Sequence, residues 1–183
     1  ITVDTGISCT EEISYAREND IDTIITDHHQ VPEIPPKDAH SINHPKQKDC
    51  NYPFEDLTGA GVALKLAHGL FVHNLGEKEA TNEIEPLIEL AAMGTVADLG
   101  PAKGENRKII KHGLRNLTTT SSPGLKILKE IAGIKPAEEV CPVKVGYRLA
   151  PRLNAAGRIG DPYTALKILI GTNDSEIYGH GKE

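Results

Sequence analysis

The most constraining feature of the chain is Ile24-Ile25-Thr26-Asp27-His28-His29, a β-branched run that stops at one carboxylate and two adjacent imidazoles. A short apolar run of this kind is typical of a strand buried in a parallel sheet. In open α/β sheets, ligands bind beyond the carboxyl ends of the strands. The run therefore predicts a strand whose end carries a functional site.

The first six residues repeat this pattern, because the run Ile1-Thr2-Val3 ends at Asp4. Between the two runs, Ser8-Cys9-Thr10-Glu11 has the form of a capping box, which predicts a helix beginning near Cys9. A parallel unit of strand, helix and strand would place Asp4 beside Asp27, His28 and His29 at one edge of the sheet.

The composition is that of an ordinary soluble globular chain, with 183 residues, 38% hydrophobic and 25% charged. No apolar run approaches the roughly 20 residues of a membrane span, and the first residues do not resemble a signal peptide. The three cysteines lack the spacing of a metal site. We therefore expect a cytoplasmic protein without a membrane partner.

The charge is divided unevenly along the chain. Residues 1 to 100 hold 18 acidic and 6 basic residues, whereas residues 101 to 183 hold 8 acidic and 14 basic ones. An acidic part that gathers divalent cations and a basic part that holds phosphates would suit a metal-dependent phosphodiester enzyme. Two solvated faces of opposite sign would explain the same division.

The remaining pattern predicts mostly helices. Residues 30 to 56 carry five prolines and predict a long loop, with a short strand near Ser41-Ile42 and two histidines, His40 and His44, that we expect to be solvated and outside the site. Helices are predicted at 58–75, 84–93, 104–117, 123–132 and 161–169. Past Gly171 we expect a frayed tail.

Two further positions have alternative interpretations. In Thr58-Gly59-Ala60-Gly61 the glycines would allow close helix packing, which we favour, or the approach of a phosphate. Asp98 lies between a short apolar stretch and a Gly-Pro break, and its spacing slightly favours a cap over a site residue.

Asp4, Asp27, His28 and Asp98 would form a mixed set of oxygen and imidazole ligands. Such a set suits Mn²⁺ or Mg²⁺, and Zn²⁺ or Fe²⁺ would also fit. A two-metal cluster supports phosphoryl transfer, and His29 could donate a proton to a phosphate or leaving group. The alternative is that Asp27-His28-His29 is only a helix-capping, solvated turn.

The segment from Val140 to Gly160 has four cationic residues and no acidic one. Within it, Leu149-Ala150-Pro151-Arg152-Leu153-Asn154-Ala155-Ala156-Gly157-Arg158 places small residues between two guanidinium groups. This arrangement would let a phosphate or a backbone come close.

Several of these stretches together resemble the DHH phosphoesterase superfamily and, within it, the RecJ-type exonucleases specific for single strands. The stretches that carry the resemblance are Val3-Asp4-Thr5-Gly6-Ile7, Thr26-Asp27-His28-His29, Tyr52-Pro53-Phe54, Thr58-Gly59-Ala60-Gly61-Val62-Ala63, Gly94-Thr95-Val96-Ala97-Asp98, Gly104-Glu105-Asn106-Arg107 and Arg152-Leu153-Asn154-Ala155-Ala156-Gly157-Arg158.

The resemblance implies an α/β fold with a parallel sheet flanked by helices. It implies a DHH domain over residues 1–117, and over 118–183 a helical remainder and connector towards a second domain. The implied activity is 5′ to 3′ removal of nucleotides from single-stranded DNA at a Mn²⁺ or Mg²⁺ two-metal centre, in DNA repair and recombination. A single-strand-binding protein and a helicase are the implied partner proteins.

The resemblance also assigns roles to individual residues. The metal ligands are Asp4, His28 and Asp98, which gives Asp98 a role that its spacing alone does not. The catalytic residues are Asp27 and His29. The substrate-binding residues are Arg152, Asn154 and Arg158.

Three family features are not found in these 183 residues: a first strand with paired aspartates, the glycine-rich histidine motif of a DHHA1 domain, and an OB domain. We therefore expect an internal fragment with little or no exonuclease activity of its own. The alternatives are a DHH-type phosphatase or phosphodiesterase acting on oligonucleotides, cyclic dinucleotides or pyrophosphate, and a non-catalytic scaffold.

Overall fold

Three short strands form a parallel sheet in the computed structural model, which describes residues 1–171 and Gly179. The strands are β1 (Thr2–Val3), β2 (Ile24–Thr26) and β3 (Ser41–Asn43), in the spatial order β1-β2-β3. Val3 lies opposite Thr26, which lies opposite Asn43. The three carboxyl ends therefore meet at one edge of the sheet, as the sequence predicts. The predicted frayed tail lies outside the described residues, apart from Gly179.

The first crossover is a single helix, α1 (Thr10–Glu18), which packs Ile13 into the core with Ile7 and Ile25. The predicted capping box is wrong. Cys9 occupies the N-cap position, and no side chain caps the helix there. Burial of the apolar face, rather than a side-chain cap, accounts for the placement of this helix.

Two long helices follow, α2 (Gly59–Leu75) and α3 (Glu77–Ala97). Helix α2 begins as predicted, and the Thr58 hydroxyl caps it by accepting the Gly61 N–H at 3.2 Å. Helix α3 begins seven residues before the predicted start and includes Pro86. Pro86 has no backbone N–H, so it cannot donate the hydrogen bond that an interior helical residue normally makes.

Small residues bring the start of α2 against the end of α3. The Thr58 and Thr95 hydroxyls are hydrogen-bonded at 3.0 Å, and a Cβ on Gly94 would collide with the Cβ of Ala60. This close approach places the residue that follows α3, Asp98, beside the first turn of α2.

Two stretches that are distant in the sequence contact each other: Tyr52-Pro53-Phe54 and Gly104-Glu105-Asn106. Glu105 accepts the Tyr52 hydroxyl and pairs with Lys65 at 2.6 Å. The Phe54 ring occupies the space that a Cβ on Gly104 would need. Asn106, fully buried, donates to the Asp56 carbonyl at 2.6 Å. These two stretches therefore dock the long loop onto the start of a later helix.

Replacing Glu105 with glutamine is expected to lower the free energy of unfolding by about 1–2 kcal/mol at neutral pH, the usual loss for charge-assisted hydrogen bonds. Burial alone would raise the pKa of Glu105, but Lys65 and Tyr52 bring it below its ordinary value. The stabilisation is thus present above the unfolded pKa of 4.5 and is lost as pH falls through the lower folded value. Urea denaturation at about pH 7 and about pH 4 measures this.

The exposed loop residue Glu33 provides the control for that measurement. Glu33→Gln should leave the free energy of unfolding within about 0.5 kcal/mol at both pH values. A Glu105→Gln difference that stays constant or grows towards acid pH would contradict the ion-pair explanation.

The chain forms two compact units, Ile1–Ile110 and Lys111–Glu183. The division falls within α4 (Gly104–Thr118). The domain boundary predicted after residue 117, and the role of connector given to the second part, stay predictions.

The second unit is helical. Helices α5 (Pro123–Ile131) and α8 (Pro162–Ile170) match the predicted ones. Between them, α6 (Pro142–Lys144), a π-helical turn (Val145–Leu149) and α7 (Ala150–Ile159) follow one another without a break. This stretch is not predicted as helical, because glycines and Pro151 interrupt its sequence pattern.

Lys129 is a buried cation in the second unit, with 3% of its surface exposed. Its ammonium group donates to three carbonyls, those of Leu117 at 3.0 Å, Thr118 at 2.6 Å and Pro136 at 3.0 Å. The three bonds join the end of α4 to the segment after α5.

Within the part of the chain that the structure describes, no helix is long and apolar enough to cross a membrane.

Candidate metal centre

Asp4 follows β1 directly and has an unusual backbone conformation. Its φ is 61°, in the left-handed region, while its N–H donates to the Thr26 carbonyl at 2.9 Å. Aspartate and asparagine tolerate this region better than most residues. A Cβ on Gly59 would overlap the Asp4 carboxylate, so the glycine lets the first turn of α2 lie against it. The predicted role of Gly59 in close packing is therefore confirmed, with Asp4 as the neighbour.

Asp27 organises the turn after β2. Only 1% of its surface is exposed, and its carboxylate accepts the N–H groups of Ile7 at 3.0 Å, His28 at 2.7 Å and His29 at 3.2 Å. Burial alone would raise the pKa of Asp27, but these bonds and the His29 ring lower it to about 2. The structure thus places Asp27 behind the two histidines, as an ionised acceptor that fixes their backbone.

His29 forms a dyad with Asp27. Its Nδ1 lies 2.6 Å from Asp27 Oδ1, and because that carboxylate is ionised, Nδ1 carries the proton and donates. The hydrogen bond to Asp27 raises the pKa of the His29 ring. More than half of the side chain is exposed, so the other ring nitrogen is open to a ligand.

The three predicted metal ligands come together at the sheet edge. His28 Nε2 lies 2.9 Å from an Asp4 carboxylate oxygen and 3.6 Å from an Asp98 carboxylate oxygen. His28 Nε2 is buried, yet it has no hydrogen-bond partner among the described residues. The nitrogen is therefore close to two carboxylates without the geometry of a hydrogen bond to either.

This arrangement fits a divalent cation. A buried imidazole nitrogen without a hydrogen-bond partner, flanked by two carboxylates, is a mixed nitrogen and oxygen donor set of the kind that Mn²⁺ binds, and its carboxylates also suit Mg²⁺. The ligand atoms of Asp4, His28 and His29 all lie within 4.8 Å of one another. No cysteine belongs to this cluster.

Asp98 both caps a helix and lies next to His28, so its two predicted roles do not exclude each other. It is the C-cap residue of α3, with its N–H donating to the Gly94 carbonyl at 2.9 Å. Its half-exposed side chain nevertheless faces His28. The helix end therefore serves to present the carboxylate to the cluster.

The predicted substrate-binding residues belong to the second unit and are exposed there on α7. Arg152 donates to the Arg148 carbonyl at 2.6 Å, in the preceding turn. Asn154 and Arg158 lie on the same helix, four residues apart, which places them on one face. The substrate-binding role of these residues stays a prediction.

The prediction that His44 is solvated is wrong. His44 is 4% exposed rather than solvated, whereas His40 is exposed as expected. Burial lowers the pKa of the His44 ring, and its Nδ1 accepts the Lys46 N–H at 3.1 Å, as a neutral imidazole can. A signal was present in the sequence, because His44 follows β3 just as Asp4 and Asp27 follow β1 and β2.

Comparison with known proteins places this geometry in context. Residues 1–95 match the family described as the DHH family, N-terminal domain. The chain is 47% identical over 179 residues to the single-stranded-DNA-specific exonuclease RecJ of Bacillus subtilis, covering 96% of this chain and 21% of that protein. It is 37% identical over 183 residues to the RecJ exonuclease of Escherichia coli, covering 96% and 31%.

Solved structures match over nearly the whole chain. RecJ from Thermus thermophilus in complex with Mn²⁺ superimposes with a TM-score of 0.81 at 34% identity, covering 99% of this chain and 26% of that one. An exonuclease RecJ bound to manganese gives a TM-score of 0.82 at 34% identity, covering 99% and 44%. The chain thus spans less than half the length of each of these relatives.

Proposed function

The chain belongs to the DHH family, and from that premise we propose that it forms the catalytic core of a metal-dependent exonuclease that hydrolyses single-stranded DNA from the 5′ end. The observation that supports this most directly is the convergence of the Asp4 and Asp98 carboxylates, from two distant stretches, on the buried Nε2 of His28, which has no hydrogen-bond partner among the described residues. The relatives named as single-stranded-DNA-specific exonucleases supply the substrate class.

We assign Asp4, His28 and Asp98 as the ligands of the centre, with Mn²⁺ or Mg²⁺ as its cation. When bound, such cations neutralise phosphate charge and lower the pKa of water towards neutrality. Asp27 holds the backbone of both histidines, and its hydrogen bond to the His29 ring raises the pKa of His29 and so favours the protonated ring. In that form the outward ring nitrogen also carries a proton, which His29 presents to a phosphate oxygen or a leaving group.

Arg152, Asn154 and Arg158 are the proposed contacts to the phosphates of the DNA strand. Their segment, from Val140 to Gly160, has no acidic residue, so it does not repel a polyanion. The proposed setting is DNA repair and recombination in the cytoplasm, with a single-strand-binding protein and a helicase as partner proteins by family analogy.

We propose further that these 183 residues have little activity by themselves. Asp4, His28 and Asp98 are three side-chain ligands for a proposed two-metal centre. By family analogy, paired aspartates on a first strand, which are not found in these 183 residues, would complete the metal shell.

A chimaera tests the proposal directly. In it, the chain replaces the matching 179 residues of the B. subtilis RecJ exonuclease. We expect Mn²⁺-dependent release of nucleotides from the 5′ end of long single strands, no digestion of blunt duplexes, and loss of activity with a chelator. The isolated chain, assayed beside it, should release little or nothing.

Other outcomes would support other functions. Cleavage of dinucleotides or pyrophosphate without digestion of long strands would favour a small-substrate phosphodiesterase or phosphatase. A folded chimaera without any hydrolytic activity, and with no rise in melting temperature on adding Mn²⁺, would favour a scaffold. Vigorous Mn²⁺-dependent digestion by the isolated chain would contradict the proposed incompleteness.

A further inference from the structure

The turn that follows β3 lies against the turn that carries His28. The Asn43 carbonyl, at the end of β3, accepts the Asp27 N–H at 3.2 Å. The ends of β2 and β3 are therefore joined immediately before His28. This places the residues after Asn43 beside the metal centre.

Hydrogen bonds to side chains stabilise the turn that follows β3. His44 is buried, and its Nδ1 accepts the Lys46 N–H at 3.1 Å. The Gln47 side-chain amide donates to the Ile42 carbonyl at 3.0 Å and to the His44 carbonyl at 3.2 Å. These bonds hold the backbone of Lys46 in one place, so its long side chain starts from a fixed point.

Lys46 reaches from this turn to the peptide of His28. Its ammonium group donates to the His28 carbonyl at 2.5 Å, across 18 positions of sequence. On the other side, the His28 N–H donates to the Asp27 carboxylate at 2.7 Å. Both peptide groups of His28 are therefore held by ionised side chains, which form the stronger class of hydrogen bond.

We propose that Lys46 is a positioning residue that orients His28 for metal binding; this deepens the proposed function and rests on His28 being a ligand. A ligand whose backbone is already fixed loses less conformational freedom when the cation binds. Outer partners of metal ligands commonly alter metal affinity by about 10–100-fold. Here the partner acts on the backbone of the ligand rather than on its ring.

Mn²⁺ titration of the chain, followed by electron paramagnetic resonance of the free ion, tests the proposal. Lys46→Met removes the donor and keeps the aliphatic stem, and we expect about tenfold weaker Mn²⁺ binding, the lower end of the range for outer partners. Lys46→Arg restores a cationic donor and should bind within about threefold of the unchanged chain. Lys48→Met, an exposed lysine two residues away, is the matched control and should change nothing.

A second measurement separates this role from the metal itself. With a chelator present, amide hydrogen exchange at His28 and His29 should be faster in Lys46→Met than in Lys48→Met, at equal free energy of unfolding. If Lys46→Met binds Mn²⁺ as tightly as the unchanged chain, or exchanges at the same rate, Lys46 does not position His28. If neither the unchanged chain nor the chimaera binds Mn²⁺, the proposed metal centre fails, and the exchange rates alone decide the positioning role.

Discussion

Replacing Asp4 with asparagine is expected to reduce Mn²⁺-dependent exonuclease activity of the chimaera by about a thousandfold, the loss of several kcal/mol of electrostatic stabilisation. Asparagine keeps the size of the side chain and tolerates the left-handed backbone at this position, where φ is 61°. The change therefore removes one charge next to His28 and little else. The initial rate of nucleotide release from a 5′-labelled single strand measures the effect.

Asp20 offers a matched control for this substitution. It is also an aspartate in the left-handed region, with a φ of 58°, and it lies in the exposed turn after α1. Asp20→Asn should leave the rate within about twofold, as expected for a surface change. If Asp4→Asn keeps more than a tenth of the activity, Asp4 is not a ligand of the catalytic cation.

A methyl group at Gly59 is the second change with a large expected effect. Because a Cβ there would overlap the Asp4 carboxylate, Gly59→Ala must displace that carboxylate from His28. We expect Mn²⁺ binding to weaken by about 10–100-fold, the range seen when support for a ligand is lost. Calorimetric titration of the chain with Mn²⁺ measures the dissociation constant.

Gly69 lies in the same helix and gives the control for that change. A Cβ at Gly69 would meet nothing within 4 Å among the described residues. Gly69→Ala should therefore leave Mn²⁺ binding unchanged and raise the free energy of unfolding by about 0.5–1 kcal/mol, the usual gain of alanine over glycine in a helix. Equal Mn²⁺ affinity in the two variants would show that the approach of α2 to Asp4 has no part in metal binding.

The sheet and one edge of the site follow from local sequence. Two apolar runs that each stop at an aspartate predict two parallel strands and the meeting of Asp4 with His28. In the structure, His28 Nε2 lies 2.9 Å from an Asp4 carboxylate oxygen. Parallel strand ends must share an edge, so this inference needs no knowledge of the helices. The position of Asp98 beside His28 could not be predicted in this way, because it depends on how closely α2 and α3 approach each other. That approach depends on Thr58, Gly94 and Thr95, whose effect a single sequence does not reveal.

The structure of two parts of the molecule could not be predicted from the sequence, for physical reasons. His44 lies in a proline-rich loop, and polar loops are usually solvated, so its burial depends on tertiary contacts that periodicity does not describe. The helical stretch from Pro142 to Ile159 contains glycines and a proline that predict a break. Pro151 is accommodated because it falls in the first turn of α7, where a missing N–H costs little.

Anomalous scattering from Mn²⁺ bound in crystals of the chain tests the proposed metal centre most directly. We expect a peak about 2.0–2.4 Å from the Asp4 carboxylate, His28 Nε2 and the Asp98 carboxylate, the distance range of metal bonds to oxygen and nitrogen. Mn²⁺ bound elsewhere, or at this edge without His28 and Asp98, would contradict it.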